Sequence, residues 1–153
     1  MNILVTGGAG YIGSHVVNLL AQQKSSEFDI VVVDNLSTGR EDAVLGGTLE
    51  VADIGDLQTM EKLFAKHRFE AVIHFAGSIV VPESVEDPLK YYDNNTRKTL
   101  ELIKLCEKHN VEKFIFSSTA AVYGIPEGGI ASEDMPTNPI NPYGRTKLMT
   151  EWM

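Results

Sequence analysis

The sequence predicts an α/β fold in which a parallel sheet is covered by helices on both faces. Short runs of β-branched and aliphatic residues recur along the chain. Stretches with apolar residues at helical spacing lie between them. The short runs are continuously apolar rather than alternating, as strands buried on both faces are. At 153 residues the chain is large enough for one core and about one domain.

The elements follow in order. Residues 3–5 (Ile-Leu-Val) read as a first strand, and Ile12, Val16, Leu19 and Leu20 mark the helix after it. Residues 30–33 (Ile-Val-Val-Val) are a second strand and residues 48–51 a third. Leu57, Met60, Leu63 and Phe64 share one face of a helix over 57–67. Residues 71–75 form a fourth strand. A long helix is expected over 89–109, with Leu100, Ile103 and Cys106 carrying its pattern. Residues 113–116 form the fifth strand, and Tyr143 begins a last helix through Leu148. Residues 124–142, rich in Gly and Pro, read as a loop. Repeats and low-complexity tracts are lacking.

Composition narrows the function classes. With 43% apolar and 22% charged residues the chain is an ordinary globular one. Its net charge of −8, without a basic run, disfavours nucleic acid and anionic membranes as partners. An anionic small ligand remains compatible, because a few backbone amides suffice to hold it. Cys106 is the single cysteine, so no intrachain disulfide forms, and a cytoplasmic location is expected. Neither a signal peptide nor an apolar run near the ~20 residues of a membrane span is evident. No metal-ligand cluster stands out. Met153 falls inside the apolar pattern of the last helix, so a truncated chain is expected.

The motif Gly7-x-x-Gly10-x-x-Gly13 sits between the first strand and the first helix. Glycines there allow a tight turn and close approach of a pyrophosphate to the helix N-terminus, where unpaired N–H groups and the helix dipole favour an anion. The strand–turn–helix context makes this a dinucleotide-binding, Rossmann-type motif. Asp34 follows the second strand, 21 positions after Gly13. A carboxylate at that place accepts from the adenosine ribose hydroxyls and disfavours a 2′-phosphate, selecting NAD over NADP. Asp53, beyond the third strand, is a candidate for the adenine amino group or for a helix cap.

Tyr143 and Lys147 stand at i and i+4, on one face of the last helix. Tyrosine titrates near 10, and a neighbouring cation favours the phenolate. Lowering that pKa by ~3 units takes roughly 4 kcal/mol of differential stabilisation. Phe116-Ser-Ser-Thr119 ends the fifth strand, where open α/β sheets place their active sites. Ser118 or Thr119 could meet a substrate hydroxyl there, or simply satisfy local backbone groups.

Taken together these blocks resemble the extended short-chain dehydrogenase/reductase superfamily, and within it the UDP-glucose 4-epimerases. The resemblance is carried by Val5-Thr-Gly-Gly-Ala-Gly-Tyr-Ile-Gly-Ser-His15, Asp34-Asn-Leu-Ser37, Asp53-Ile54, His74-Phe-Ala-Gly77, Pro82-Glu-Ser-Val85, Asn94-Asn95, Phe116-Ser-Ser-Thr-Ala-Ala-Val-Tyr-Gly124 and Pro142-Tyr-Gly-Arg-Thr-Lys147. It implies a Rossmann domain over 1–153, incomplete and lacking the substrate domain. It implies that Gly7, Gly10, Tyr11, Ile12 and Gly13 meet the NAD pyrophosphate, and that Asp34, Asn35, Leu36, Ser37, Thr38 and Gly39 wrap the ribose. Asp53 and Ile54 would flank the adenine, and Phe75, Ala76, Gly77 and Asn95 would line the cofactor. Lys147 would hold the nicotinamide ribose. Tyr143 would be the base, with Thr119 its hydroxyl partner at the sugar O4.

The implied reaction interconverts UDP-glucose and UDP-galactose, as galactose metabolism requires. Tyr143 takes the O4 proton, hydride moves from C4 to bound NAD, the 4-keto sugar turns its other face, and hydride and proton return. Homodimers joined through the helix near 89–109 and the Tyr143 helix are typical of such enzymes. Two positions depart from the family pattern. Ile79 stands where a lysine is frequent, and Thr119 where a serine is frequent. A 4,6-dehydratase of the same fold is disfavoured, because Ala120 and Ala121 replace the Asp-Glu pair such enzymes need. Another NAD-dependent nucleotide-sugar epimerase or decarboxylase stays open, as does a non-catalytic NAD sensor or inactive fragment. Retention of Tyr143, Lys147 and Thr119 speaks against the sensor.

Overall fold

The apolar runs become the strands of one sheet in the computed structural model, which describes residues 1–23 and 28–153. These strands are β1 (Asn2–Thr6), β2 (Asp29–Asp34), β3 (Thr48–Val51), β4 (Ala71–His74) and β5 (Lys113–Phe116). All pair in parallel, in the order β3-β2-β1-β4-β5. Chain order reverses between β1 and β4, the switch point where doubly wound sheets bind ligands. Central strands β1, β2 and β4 are buried on both faces, which explains their unbroken apolar runs. Edge strands β3 and β5 are partly exposed.

The strands alternate their side chains between two cores. Leu4, Val31, Val33 and Val72 face one, with Met60, Leu63 and Phe64 from α2 (Leu57–His67) and Leu102, Leu105 and Cys106 from α5 (Lys98–Lys108). Ile3, Val5, Ile30, Val32 and Ile73 face the other, with Val17 of α1 (Tyr11–Ala21). The Cys106 thiol, buried among these side chains, is pushed up to about 12 and stays protonated. The two-sided cover matches the doubly wound expectation.

Helix ends follow local chemistry. Asp56 caps α2 by accepting from the Thr59 N–H at 3.2 Å, and Lys66 and His67 complement the dipole at its other end. The cap is therefore Asp56, not Asp53, which turns back to accept from Gly55 N–H at 2.7 Å.

The helix expected over 89–109 is divided. A short α3 (Val81–Glu86) precedes it, unforeseen in the apolar pattern. Asp87, at φ −129° and ψ 74° and kept out of the helical region by the proline after it, breaks the path and caps α4 (Pro88–Tyr91) through the Lys90 N–H. A π-helical turn (Tyr92–Arg97) then leads into α5. The last helix, α6 (Pro142–Trp152), starts one residue earlier than the spacing suggested, with Pro142 at its first position and Asn141 as cap.

The chain divides into two compact units. Residues Met1–Ala76 and Glu101–Ser117 hold the sheet. Residues Gly77–Leu100 and Ser118–Met153 hold α3, α4, the π turn, two short 3-10 turns and α6. Among the described residues no helix is long and apolar enough to cross a membrane.

Phe64 is fully buried, edge-on to Phe69 at 5.2 Å between ring centroids. Phe64→Ala should lower stability by ~3–5 kcal/mol in urea unfolding, since it leaves a cavity beneath the sheet. A loss below ~1 kcal/mol would show that this core collapses around the gap.

Candidate active site

In the sheet unit the glycine motif is explained first by the chain's own backbone. Gly7 has φ +70°, and a Cβ there would lie 2.5 Å from Ala76 N, so the β1 turn runs directly against the residues after β4. A Cβ on Gly13 would lie 2.3 Å from the Gly7 carbonyl oxygen. Gly10 differs: only Gly7 O, at 3.3 Å, is near its Cβ direction. It opens α1 with no side-chain cap, and Tyr11 and Ile12 are exposed. First-turn N–H groups without a protein cap, beside an open glycine, suit a diphosphate.

Asp34 is 8% exposed and ties two loops together. Its Oδ2 accepts from Ala9 N–H at 3.0 Å and its Oδ1 from Leu36 N–H at 2.9 Å. Arg40 N–H in turn donates to Ala9 O at 3.0 Å. Each carboxylate oxygen takes more than one hydrogen bond, so the ribose role is compatible with this structural one. Leu36 adopts φ +56°, and Gly39 packs so closely on Ala9 that a Cβ would come within 3.0 Å of its backbone. Asn35 donates to Asp53 Oδ2 at 2.9 Å and accepts from Ser37 N–H at 3.0 Å, while Ser37 and Thr38 stay exposed. Ile54 is 6% exposed, its side chain committed to the core under the sheet. Phe75 and Ala76 are half-buried directly after β4.

In the second unit α6 presents Tyr143 and, one turn on, Lys147. The Lys147 side chain is buried, and that burial pushes its ammonium down to about 8. A Cβ built on Gly77 would stand 3.1 Å from Asn95 Oδ1 and 3.8 Å from Lys147 Nζ, so these three residues converge. Asn95 accepts from Ser78 N–H at 2.7 Å and donates to Ser78 O at 2.9 Å and Thr146 Oγ1 at 3.2 Å. Both amide protons of Asn95 are thus committed to the protein, which makes it a clamp on the loop after Gly77. Ile79, in that loop, is 67% exposed.

Thr119 Oγ1 accepts from Ala121 N–H at 3.2 Å, keeping its hydroxyl proton for a donor role. A Cβ on Gly144 would lie 2.8 Å from Ala121 O, so the turn after Thr119 packs on the first turn of α6, beside Tyr143. Ser118 donates instead to the Glu151 carboxylate. Sequence reasoning did not single out Tyr91, whose ring meets that of Tyr143 edge-on at 6.5 Å. Nor did it single out Asn141, although an Asn-Pro pair before a helix is a start signal.

Residues 3–153 match the family model described as the NAD dependent epimerase/dehydratase family. The chain belongs to that family. It is 52% identical over 152 residues to a UDP-glucose 4-epimerase of Azospirillum brasilense, covering 99% of this chain and 43% of that protein. The Brucella ovis UDP-glucose 4-epimerase, solved in complex with NAD, superposes with a TM-score of 0.93 at 49% identity, covering 99% of this chain and 46% of the other. The Thermotoga maritima UDP-glucose 4-epimerase, solved with UDP-glucose, gives 0.92 at 40% identity, covering 99% and 49%. The chain therefore spans just under half the length of these relatives.

The residues present fit the family's NAD. The sheet unit by itself offers uncapped helix amides for a diphosphate and the Asp34 carboxylate. Among the described residues no group of three or more His, Cys, Asp or Glu side chains is placed to hold a metal ion.

Two outcomes are expected. Gly13→Ala should destabilise the protein by ~2 kcal/mol or more, because rigid backbone blocks the new methyl. Gly10→Ala should leave stability within ~1 kcal/mol yet weaken NAD binding in calorimetry. Equal stability losses at both positions would remove the distinction between them.

Lys147 titrates lower folded than unfolded, near 8 against 10.5. Below pH 8 both states are charged and the burial penalty is felt in full. Between pH 8 and 10.5 the folded state sheds its proton first, and the penalty fades as pH rises. Lys147→Met should thus stabilise the cofactor-free protein by ~2 kcal/mol at pH 7, with the gain shrinking toward pH 10. A gain independent of pH, read from urea midpoints at both pH values, would contradict the assignment.

Proposed function

We propose that this chain is the NAD-binding and catalytic portion of a UDP-glucose 4-epimerase, interconverting UDP-glucose and UDP-galactose through a 4-keto sugar. The observation that carries the reading is the α6 arrangement: Tyr143 and Lys147 one turn apart, with the Thr119 turn packed on the helix start. The 43–49% span of the relatives supports a sugar-nucleotide domain lying outside these 153 residues.

In this reading the first turn of α1 and Gly10 hold the diphosphate of the cofactor, and Asp34 takes the adenosine ribose hydroxyls. Asn35, Leu36, Ser37, Thr38 and Gly39 shape that loop, and Asp53 and Ile54 flank the base. The Lys147 ammonium holds the second ribose. Most Lys147 side chains remain charged at pH 7, since that pH lies below 8. NAD, when bound, supplies a reversible hydride acceptor for C4 of the hexose. Tyr143 Oη removes the O4 proton and later returns it to the same oxygen, so one residue serves as base and then acid. Thr119 donates its hydroxyl proton toward O4 and orients the sugar. Ala120 and Ala121 bring no acid or base beside it, which favours epimerisation over dehydration.

A homodimer fits the exposed apolar side chains of Leu89 on α4 and of Met149 and Trp152 on α6. A role in galactose metabolism and a cytoplasmic location follow from this reading.

The experiment is conversion of UDP-galactose to UDP-glucose by the full-length protein with NAD bound. Tyr143→Phe should lower kcat by ~10³-fold with little change in KM, in the range for loss of a general acid–base. Bound NAD without turnover of either sugar in the parent protein would refute the substrate assignment.

A further inference from the structure

Two side chains near the start of the divided helix grip one loop in the same manner. Asn95 engages both backbone polar groups of Ser78, as described above. Tyr91, four residues earlier, engages both of Val80. Its Oη accepts from Val80 N–H at 2.9 Å and lies 2.7 Å from Val80 O. The same oxygen lies 2.8 Å from Glu83 Oε2, and Glu83 also holds the Lys90 ammonium. A phenol has one proton, so it donates to Val80 or Glu83 at any instant and accepts from the amide throughout. Tyr91 is fully buried, and burial, reinforced by the Glu83 carboxylate, pushes its phenol up to about 12. It remains a protonated, fixed donor across the range in which enzymes work. Its ring stands at 88° to that of Tyr143.

We propose that Tyr91 is a positioning residue for Tyr143, joining the catalytic ring and the loop at Val80 to one buried anchor. The inference rests on the role given to Tyr143 above. A tyrosine base acts from the end of a side chain with two rotatable bonds, and its oxygen must be held to a fraction of an ångström. An edge-on ring, itself fixed by three polar contacts, restricts both rotations. No contact of Tyr91 with substrate is required.

The experiment compares Tyr91→Phe, Tyr91→Leu and Tyr143→Phe in the full-length protein. It measures kcat, KM for UDP-galactose, the NAD content of purified protein, and kcat against pH. Tyr91→Leu removes ring and anchor, and kcat should fall ~100-fold, the scale of a misplaced catalytic group. KM and NAD content should stay within about threefold, and the acid limb of the pH profile should move. Tyr91→Phe keeps the ring but loses the anchor. It should show a smaller fall, about tenfold, and a smaller displacement of the limb. A kcat within about twofold of the parent and an unmoved limb in Tyr91→Phe and Tyr91→Leu overturn the proposal; if the leucine variant does not fold, Tyr91→Phe decides alone. So does a loss that follows NAD content or folded yield with the limb unmoved. Normal turnover by Tyr143→Phe defeats the catalytic reading itself. Inactive Tyr143→Phe beside unaffected Tyr91 variants defeats only the positioning role.

Discussion

The Asp34 carboxylate is the contact on which the glycine turn and the loop after β2 depend. It is buried at the carboxyl end of β2, where an unsatisfied charge would cost several kcal/mol. Two backbone N–H groups answer it, one from the β1–α1 turn and one from its own loop. Through Ala9, whose carbonyl takes the Arg40 N–H, the same carboxylate draws residues 36–40 against the glycine motif. A residue that sequence proposes as a ribose ligand is therefore also the clasp that shapes the loop of residues 36–40. Replacing it releases the loop and the glycine turn together.

The glycines follow the same economy. Gly7 and Gly13 are required because backbone meets backbone there, at distances no side chain permits. Gly10 is less confined, with Gly7 O at 3.3 Å the one atom near its Cβ direction. A shared motif thus mixes positions that build the turn with a position that leaves room for a ligand, and only the three-dimensional contacts tell them apart. Spacing alone cannot, since all three glycines look alike in it.

The sheet was readable because buried parallel strands demand continuous apolar runs, and β1, β2 and β4 have them. Helices α1, α2 and the later part of α5 were readable because one face meets a core. The misses have physical causes. Helix α3 buries little: Val81 and Val85 are both exposed, so no apolar stripe announces it. The π turn at Tyr92–Arg97 shifts the hydrogen-bond register without changing composition, and a pattern with a 3.6-residue period is blind to it. Sequence offered Asp53 as a helix cap, and only the position of the Thr59 N–H shows that Asp56 takes that part.

For the candidate site, sequence singled out Tyr143, Lys147, Thr119 and Asn95 as candidates and passed over Tyr91. Tyr143, Lys147 and Thr119 stand out because their functional groups and spacing suit proton transfer. Tyr91, and Asn95 in its grip on Ser78, form hydrogen bonds to backbone atoms of the loop, and a backbone partner leaves no trace in residue identity. The π turn begins one residue after Tyr91 and contains Asn95, so the irregular helix and the gripped loop belong to one construction. A regular helix would set these two side chains at a different rotation. The extra residue of the π turn therefore helps set the spacing at which a phenol and an amide meet residues two apart in the loop.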